Sequence, residues 1–212
     1  MWLKILAYFS GYRRRLMRLL VLFAHPVPES FGRAILERLV TGLAARGHEV
    51  RVADLYAEGF DPVLGAEERR DYHTPGVNER RIAAEIERIR WAEGLIFVYP
   101  TWWYSLPAML KGWLDRVWVP FVTFELPSAR KPILGKMQHI RLIGGISTYG
   151  SPWWWMRFVI GDPGQRIIMR GIRPLCHARC RTFWLGHYRM DSSTSESRRT
   201  FLDRVARRAA TL

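Results

Sequence analysis

The stretch from Leu95 to Val119 constrains the fold more than any other part of this sequence. It begins with a run of apolar residues, which is typical of a parallel strand covered on both faces. After a short aromatic loop, apolar residues recur at helical spacing between Leu106 and Val117, and Ser105 is suited to cap that helix. We therefore expect a buried strand followed closely by an amphipathic helix.

The loop between that strand and helix carries more aromatic side chains than a tight β–α connection needs. One interpretation is a hydrophobic plug beneath a neighbouring loop. The other is a wall for a flat aromatic ligand, because ligands of open α/β sheets bind at the carboxyl ends of the strands. We predict that the loop contacts a cofactor through Pro100, Thr101, Trp102, Trp103 and Tyr104.

Strand and helix patterns alternate along the rest of the chain. Apolar strand patterns cover residues 18–24, 49–55, 95–98, 138–146 and 179–185, and helical patterns cover 30–46, 77–91, 106–117, 165–170 and the end of the chain after a capping box at 193–196. This alternation predicts one α/β domain over residues 18–212, a doubly wound five-stranded parallel sheet. Residues 1–17 are predicted to be a basic N-terminal extension.

The segment that follows the first strand has the properties of an anion site. Ser30 is placed to cap a helix whose free N–H groups and positive dipole end would face a negatively charged group. The predicted contacts in this loop come from His25, Ser30, Phe31 and Gly32. The chain lacks the GxGxxG and Walker patterns, which argues against a Rossmann dinucleotide fold and an NTPase.

A third loop, after the fourth strand, contains small residues that let backbone N–H groups approach a ligand. Its predicted contacts are Ser147, Thr148, Tyr149 and Gly150. The three loops follow the first, third and fourth strands, so in a parallel sheet they share one edge. An anion site at one end of a crevice and an aromatic wall at the other describe a flavin nucleotide, FMN or FAD.

Charge and cysteine content narrow the classes of function. The net charge is +14, and residues 166–212 contain eleven arginines against three acids. The chain has no recognised nucleic-acid-binding pattern, so we expect solvated surface charge or, second, a patch facing anionic lipid.

No apolar run is long enough to span a membrane. Residues 1–16 fit either a dispensable extension or a short membrane-surface anchor, and Cys176 and Cys180 are expected to be free thiols rather than metal ligands.

The aromatic loop and its helix carry a motif that resembles the NAD(P)H:quinone oxidoreductase family of flavodoxin-like proteins. The motif, Pro-x-x-x-[Tyr/Phe/Trp]-x-x-Pro-Ala-x-Leu-Lys-Gly-Trp-x-Asp-Arg, is formed here by Pro100, Tyr104, Pro107, Ala108, Leu110, Lys111, Gly112, Trp113, Asp115 and Arg116. The resemblance implies strand order 2-1-3-4-5 and a homodimer with shared sites. Gly32 and Tyr149 depart from the family pattern, and Ile160 stands where mammalian members carry a catalytic His.

From the resemblance we expect a flavin-dependent oxidoreductase that transfers hydride from NADH or NADPH to quinones by a two-electron ping-pong reaction. Tyr104 and Tyr149 are the predicted catalytic residues, and Trp154, Trp155 and Phe124 are predicted to bind the acceptor. No metal is expected. The alternatives are a flavin-bound accessory subunit of a membrane protein and a single-electron carrier. The predicted location is the cytoplasm, with peripheral membrane contact through the basic termini as the alternative.

Overall fold

The computed structural model describes residues 16–128 and 132–212. In this part of the chain the strands are β1 (Arg18–Phe23), β2 (Glu49–Asp54), β3 (Gly94–Pro100), β4 (Phe124–Glu125), β5 (Leu134–Gly135), β6 (Leu142–Thr148) and β7 (Arg181–His187). Five of them form one sheet in the order β2-β1-β3-β6-β7, and every pairing in it is parallel. The predicted flavodoxin-like order is therefore confirmed, and β4 with β5 forms a small antiparallel pair apart from the sheet.

Helices cover both faces of the sheet. They are α1 (Phe31–Ala45), α2 (Ala66–Asp71), α3 (Ala83–Trp91), α4 (Ala108–Val117), α5 (Pro163–Arg166) and α6 (Ser195–Thr211). One apolar core lies between the sheet and the α3–α4 side, and a second lies between the sheet and the α1–α6 side. Since both faces are covered, all seven residues of β3 are buried, as its unbroken apolar run predicts.

Helix α4, which lies within the stretch from Leu95 to Val119, packs closely on its neighbours. Trp113 is fully buried, and its indole N–H donates to the Glu85 carboxylate at 2.7 Å. The preceding Gly112 lies against the backbone of Pro62, where a Cβ atom would sit 2.1 Å from the carbonyl oxygen. Glycine is required there by close approach, because its backbone conformation is an ordinary one.

The predicted boundary of this helix is wrong at its start. The N-cap is Pro107, not Ser105, and α4 begins at Ala108. The backbone N–H and C=O of Ser105 pair with Trp102 across a tight turn, so Ser105 belongs to the aromatic loop. The motif proline therefore forms the junction between the loop and the helix.

Other boundaries also differ from the sequence patterns. The helix predicted from residue 77 consists of a 3₁₀ turn, Arg80–Ile82, followed by α3, and the N-cap of α6 is Thr194 rather than Ser193. The connection from β6 to β7 is more helical than predicted. It contains two π-helical segments, Trp155–Ile160 and Ile167–Ile172, on either side of α5. Helical periodicity of 3.6 residues does not reveal such wider turns.

The predicted extension, residues 1–17, lies almost wholly outside the described residues. Met17 is described and is buried, and its N–H donates to Nδ1 of His48 at 3.1 Å, so the folded domain includes Met17. Among the described helices, none is both long and apolar enough to cross a membrane.

Candidate functional site

The N-terminus of α1 presents unpaired backbone donors at the carboxyl edge of the sheet. The Ser30 hydroxyl accepts the N–H of Arg33 at 3.2 Å, which caps the helix as predicted. The N–H groups of Phe31 and Gly32 have no acceptor among the described residues. Free N–H groups at the positive end of a helix dipole bind anions, so this turn has the donors that a phosphate needs.

His25 links this turn to the aromatic loop. Its Nδ1 accepts the N–H of Val27 at 3.0 Å, so the neutral ring carries its proton on Nε2. Burial lowers the pKa of His25 below its usual value, and nearby Arg33 lowers it further. The ring lies 6.1 Å from the Trp102 ring, between the anion turn and the aromatic loop. His25 can therefore offer a neutral N–H donor to a ligand in the crevice.

The aromatic loop closes by a two-residue turn in an unusual conformation. Trp102 and Ser105 exchange backbone hydrogen bonds of 3.2 and 3.0 Å, with Trp103 and Tyr104 between them. Both central residues have positive φ, 46° and 64°. That geometry is the type I′ pattern, where Asn and Gly are preferred and bulky residues are strained. Trp103 is 94% exposed, so it does not fill space beneath a neighbouring loop. Two strained aromatic residues at this position therefore favour the interpretation of the loop as a wall for a ligand over that of a hydrophobic plug.

A cavity of about 210 Å³ opens beside this turn. Its walls come from the aromatic loop and from the loop after β6, which the sheet register places side by side. The lining residues are Thr101, Trp103, Tyr104, Tyr149, Gly150, Ser151 and Met156. Below them, the hydroxyls of Thr101 and Ser147 share a hydrogen bond of 2.8 Å. The structure thus brings together most of the predicted residues from these two loops.

Three residues predicted to bind the acceptor do not line this cavity. Trp154 and Trp155 contact each other edge to face at 5.7 Å, and Trp154 is half exposed. Phe124 lies in β4, whose backbone pairs with β5. Their role in binding the acceptor stays a prediction. Pro100 is buried at the end of β3 and supports the loop rather than facing the cavity.

Tyr149 lies in the wall of the cavity with its hydroxyl directed into the protein. The hydroxyl donates to the Asp162 carboxylate at 3.1 Å and accepts the indole N–H of Trp184 at 2.9 Å. The ring stacks on Tyr188 at 4.6 Å. Burial raises the pKa of Tyr149 far above its usual value, so it is a neutral phenol. Its predicted role as donor to developing charge stays a prediction and requires the bond to Asp162 to break.

A larger cavity of about 490 Å³ is lined by the two residues that bond to the Tyr149 hydroxyl, Asp162 and Trp184. It is lined by residues that the sequence patterns did not identify, mostly from the β6–β7 connection and β7: Trp153, Arg157, Asp162, Gln165, Trp184, Gly186, Tyr188 and Arg204. Sequence signals for these residues are weak. Asp162 follows a glycine and precedes a proline, which indicates a turn, but its contact with Tyr149 is set by tertiary folding.

Neither cavity has the features of a metal centre. The described part of the chain has no cluster of three or more His, Cys, Asp or Glu side chains that could hold a metal ion. Both cysteines are buried free thiols.

Comparison with known protein families agrees with the fold. A family model described as "Flavodoxin-like fold" matches residues 17–160, more than half of the chain. The chain belongs to this family. The matched residues include the anion turn, the aromatic loop and the loop after β6, so the candidate site lies within the shared part of the family.

Individual relatives carry more specific names. The chain is 41% identical over 102 residues to an uncharacterized NAD(P)H oxidoreductase of Haemophilus influenzae, covering 48% of this chain and 50% of the relative. It is 32% identical over 126 residues to human ribosyldihydronicotinamide dehydrogenase [quinone], covering 52% and 54%. The chain spans about half the length of these relatives. The solved NAD(P)H:quinone oxidoreductase of Methanothermobacter marburgensis is 27% identical, with a TM-score of 0.80 over 92% of this chain and 98% of that one.

Proposed function

We propose that this protein is a flavin-dependent NAD(P)H oxidoreductase that reduces quinones or similar flat electrophiles by two-electron transfer. The observation that carries the proposal is the placement of an anion turn and a strained aromatic wall on adjacent strands, β1 and β3, at one edge of the sheet. Adjacent strands whose helices lie on opposite faces form the crevice in which such sheets bind ligands. The names of the relatives support the same chemistry.

The residues present fit a flavin nucleotide. The unpaired N–H groups of Phe31 and Gly32 and the Nε2–H of His25 would hold its phosphate. The cavity of about 210 Å³ is smaller than the ~300–1,000 Å³ of pockets that enclose a whole small molecule. It therefore suits one part of the ligand, the flat ring, with the phosphate outside it on the anion turn.

The flavin would supply the hydride chemistry, and the protein would bind, orient and shield the reactants. Trp103 and Tyr104 would cover the ring on one side, while Thr101 and the small residue Gly150 would let its polar edge approach the backbone. Donor and acceptor would both have to stack on the same ring in this small cavity, so they would use it in turn. This shared access is why we propose the ping-pong order.

We further propose that a second copy of the chain completes the site. Large apolar side chains are exposed in the aromatic loop and in the segment after the β6 loop: Trp102, Trp103, Tyr104, Trp153, Trp154, Phe158 and Val159. Monomeric proteins rarely leave large apolar patches uncovered, and Trp103 and Tyr104 of this set line the proposed flavin position. Light scattering should give the mass of a dimer at micromolar concentration, and a monomer mass would contradict this assembly.

The experiment that tests the cofactor is direct. The purified protein should show flavin absorbance, and denaturation should release FMN or FAD in amounts approaching one per chain. Protein that arrives without flavin should bind either added nucleotide. A protein that neither carries nor binds FMN or FAD would contradict the proposal.

A further inference from the structure

The strongest feature that the proposed function leaves unused is the larger cavity beside Tyr149. Its volume of about 490 Å³ lies within the range of sites that enclose small molecules. Three aromatic side chains face it from different segments, Trp153, Trp184 and Tyr188. Two arginines, Arg157 and Arg204, face it from the π-helical segment 155–160 and from α6.

Neither arginine forms an ion pair with a residue that the structure describes. Every ion pair between described residues lies between positions 18 and 136. The twelve arginines from Arg157 to Arg208 have no ion-pair partner among the residues that the structure describes. Most are spread over the surface, as solvated charge. Arg157 and Arg204 differ because they converge on one concave site from two elements.

One carboxylate, Asp162, lies in the cavity wall, where it interacts electrostatically with Arg157 but forms no ion pair with either arginine. Asp162 is buried, and its oxygens accept the Tyr149 hydroxyl and the backbone N–H of Gln165. Burial raises the pKa of Tyr188 to about 12, while Arg204 and Arg157 act in the opposite direction. The cavity therefore offers stacking surfaces and two guanidinium groups that form no ion pair with a described residue.

This combination suits a phosphorylated aromatic ligand. Guanidinium groups pair with phosphate oxygens through two parallel hydrogen bonds, and indole and phenol rings stack on purine bases. The position of this cavity relative to the smaller one indicates which ligand carries the phosphorylated aromatic group. Ser151 and Met156 line the smaller cavity, and Trp153 and Arg157 line the larger one, so one short segment forms the rim between them. An extended dinucleotide is long enough to cross this rim from one cavity to the other.

We propose that this cavity binds the phosphorylated adenosine end of NADPH while the nicotinamide end reaches the smaller cavity. The inference rests on the proposed function and deepens it, because it assigns the hydride donor and its binding site. Since the arginines are the groups that recognise the 2′-phosphate, the protein should prefer NADPH to NADH.

The test uses 2′,5′-ADP as the probe, measured by isothermal titration calorimetry on the purified protein. Arg157→Gln and Arg204→Gln should each weaken its binding at least about tenfold, the loss expected when one charge-assisted hydrogen-bonding group is removed. The preference for NADPH over NADH in kcat/KM should fall by a similar factor. The matched controls are Arg170→Gln and Arg199→Gln, exposed arginines that do not line the cavity, and they should change neither quantity.

Arg157→Lys and Arg204→Lys keep the charge and should restore part of the affinity, which separates loss of charge from misfolding. The proposal is wrong if the Gln variants bind 2′,5′-ADP as the controls do, or if 5′-AMP binds as tightly as 2′,5′-ADP. It is also wrong if the Gln variants lose FAD instead, since the cavity then belongs to the cofactor. Probe binding is measured without turnover, so it can succeed or fail independently of the oxidoreductase activity.

Discussion

Replacing Tyr149 with Phe removes one hydroxyl, which is the hydrogen-bond partner of one buried and one partly buried polar group. Asp162 loses a donor at 3.1 Å, and Trp184 loses an acceptor at 2.9 Å. Losing a hydrogen-bond partner in the interior costs about 1–3 kcal/mol per buried group. Because Trp184 is only partly buried, we expect the free energy of unfolding to fall by about 2–3 kcal/mol.

The matched control is Tyr188→Phe. The Tyr188 ring stacks on Tyr149, but its hydroxyl has no hydrogen bond to any described residue. Its loss should change the free energy of unfolding by no more than about 0.5 kcal/mol. Urea unfolding followed by circular dichroism gives both values, provided that the slopes of the transitions agree. Equal effects of the two substitutions would show that the buried hydrogen bonds of Tyr149 do not stabilise the fold.

The cost of Tyr149→Phe should also depend on pH. Burial raises the pKa of Asp162, while the hydrogen bond from Tyr149 lowers it. A raised carboxyl pKa contributes stability that is fully present below the ordinary value and is lost as pH rises through the raised value. Since the Tyr149 hydroxyl stabilises the ionised carboxylate, its removal should cost more at about pH 8 than at about pH 4. A larger cost at the acidic pH would contradict this assignment.

Three further variants test the strained turn, the closely packed glycine of α4 and the serine that caps α1. The double variant Trp103→Asn, Tyr104→Gly places residues that tolerate positive φ in the turn, so the free energy of unfolding should rise by about 1 kcal/mol while flavin binding weakens. Urea unfolding and flavin titration that did not show both changes would contradict the interpretation of these aromatics as a strained wall for the flavin. Gly112→Ala should cost at least about 2 kcal/mol in urea unfolding because its Cβ would overlap a backbone oxygen, whereas Gly171→Ala, with open space around it, should not destabilise the fold. Ser30→Ala should lower the unfolding free energy by about 1 kcal/mol and weaken FMN binding but not riboflavin binding, and an equal effect on both ligands would exclude a phosphate at this turn.

The parts of the fold that the sequence predicts are those governed by local patterns. The apolar run of β3 and the helical spacing of α4 require burial on the faces where the structure shows it. The turn after β1 has a capping serine next to an apolar strand, and its unpaired N–H groups follow from helix geometry. The order of the strands comes from the family resemblance, because the same alternation of strands and helices fits several topologies.

The sequence does not predict backbone conformations that oppose a residue's preference, nor clusters formed by residues that are distant in the chain. Positive φ at Trp103 contradicts the backbone preference of tryptophan and is imposed by the pairing of Trp102 with Ser105. The cluster of Tyr149, Asp162 and Trp184 joins three segments of the chain, and no spacing rule brings them together. Sequence patterns predict that Tyr149 lies near the flavin ring, and they give no sign that its hydroxyl bonds to Asp162 and Trp184.

Anaerobic stopped-flow spectroscopy of the flavin-loaded protein tests the central claim most directly. Mixing with NADPH should bleach the flavin absorbance rapidly, and a second mixing with one equivalent of a quinone should restore it in a single two-electron phase. NADH should give the same change at a lower apparent affinity. If neither nucleotide reduces the bound flavin, the protein is not an NAD(P)H oxidoreductase, and the role of an electron carrier or accessory subunit replaces it.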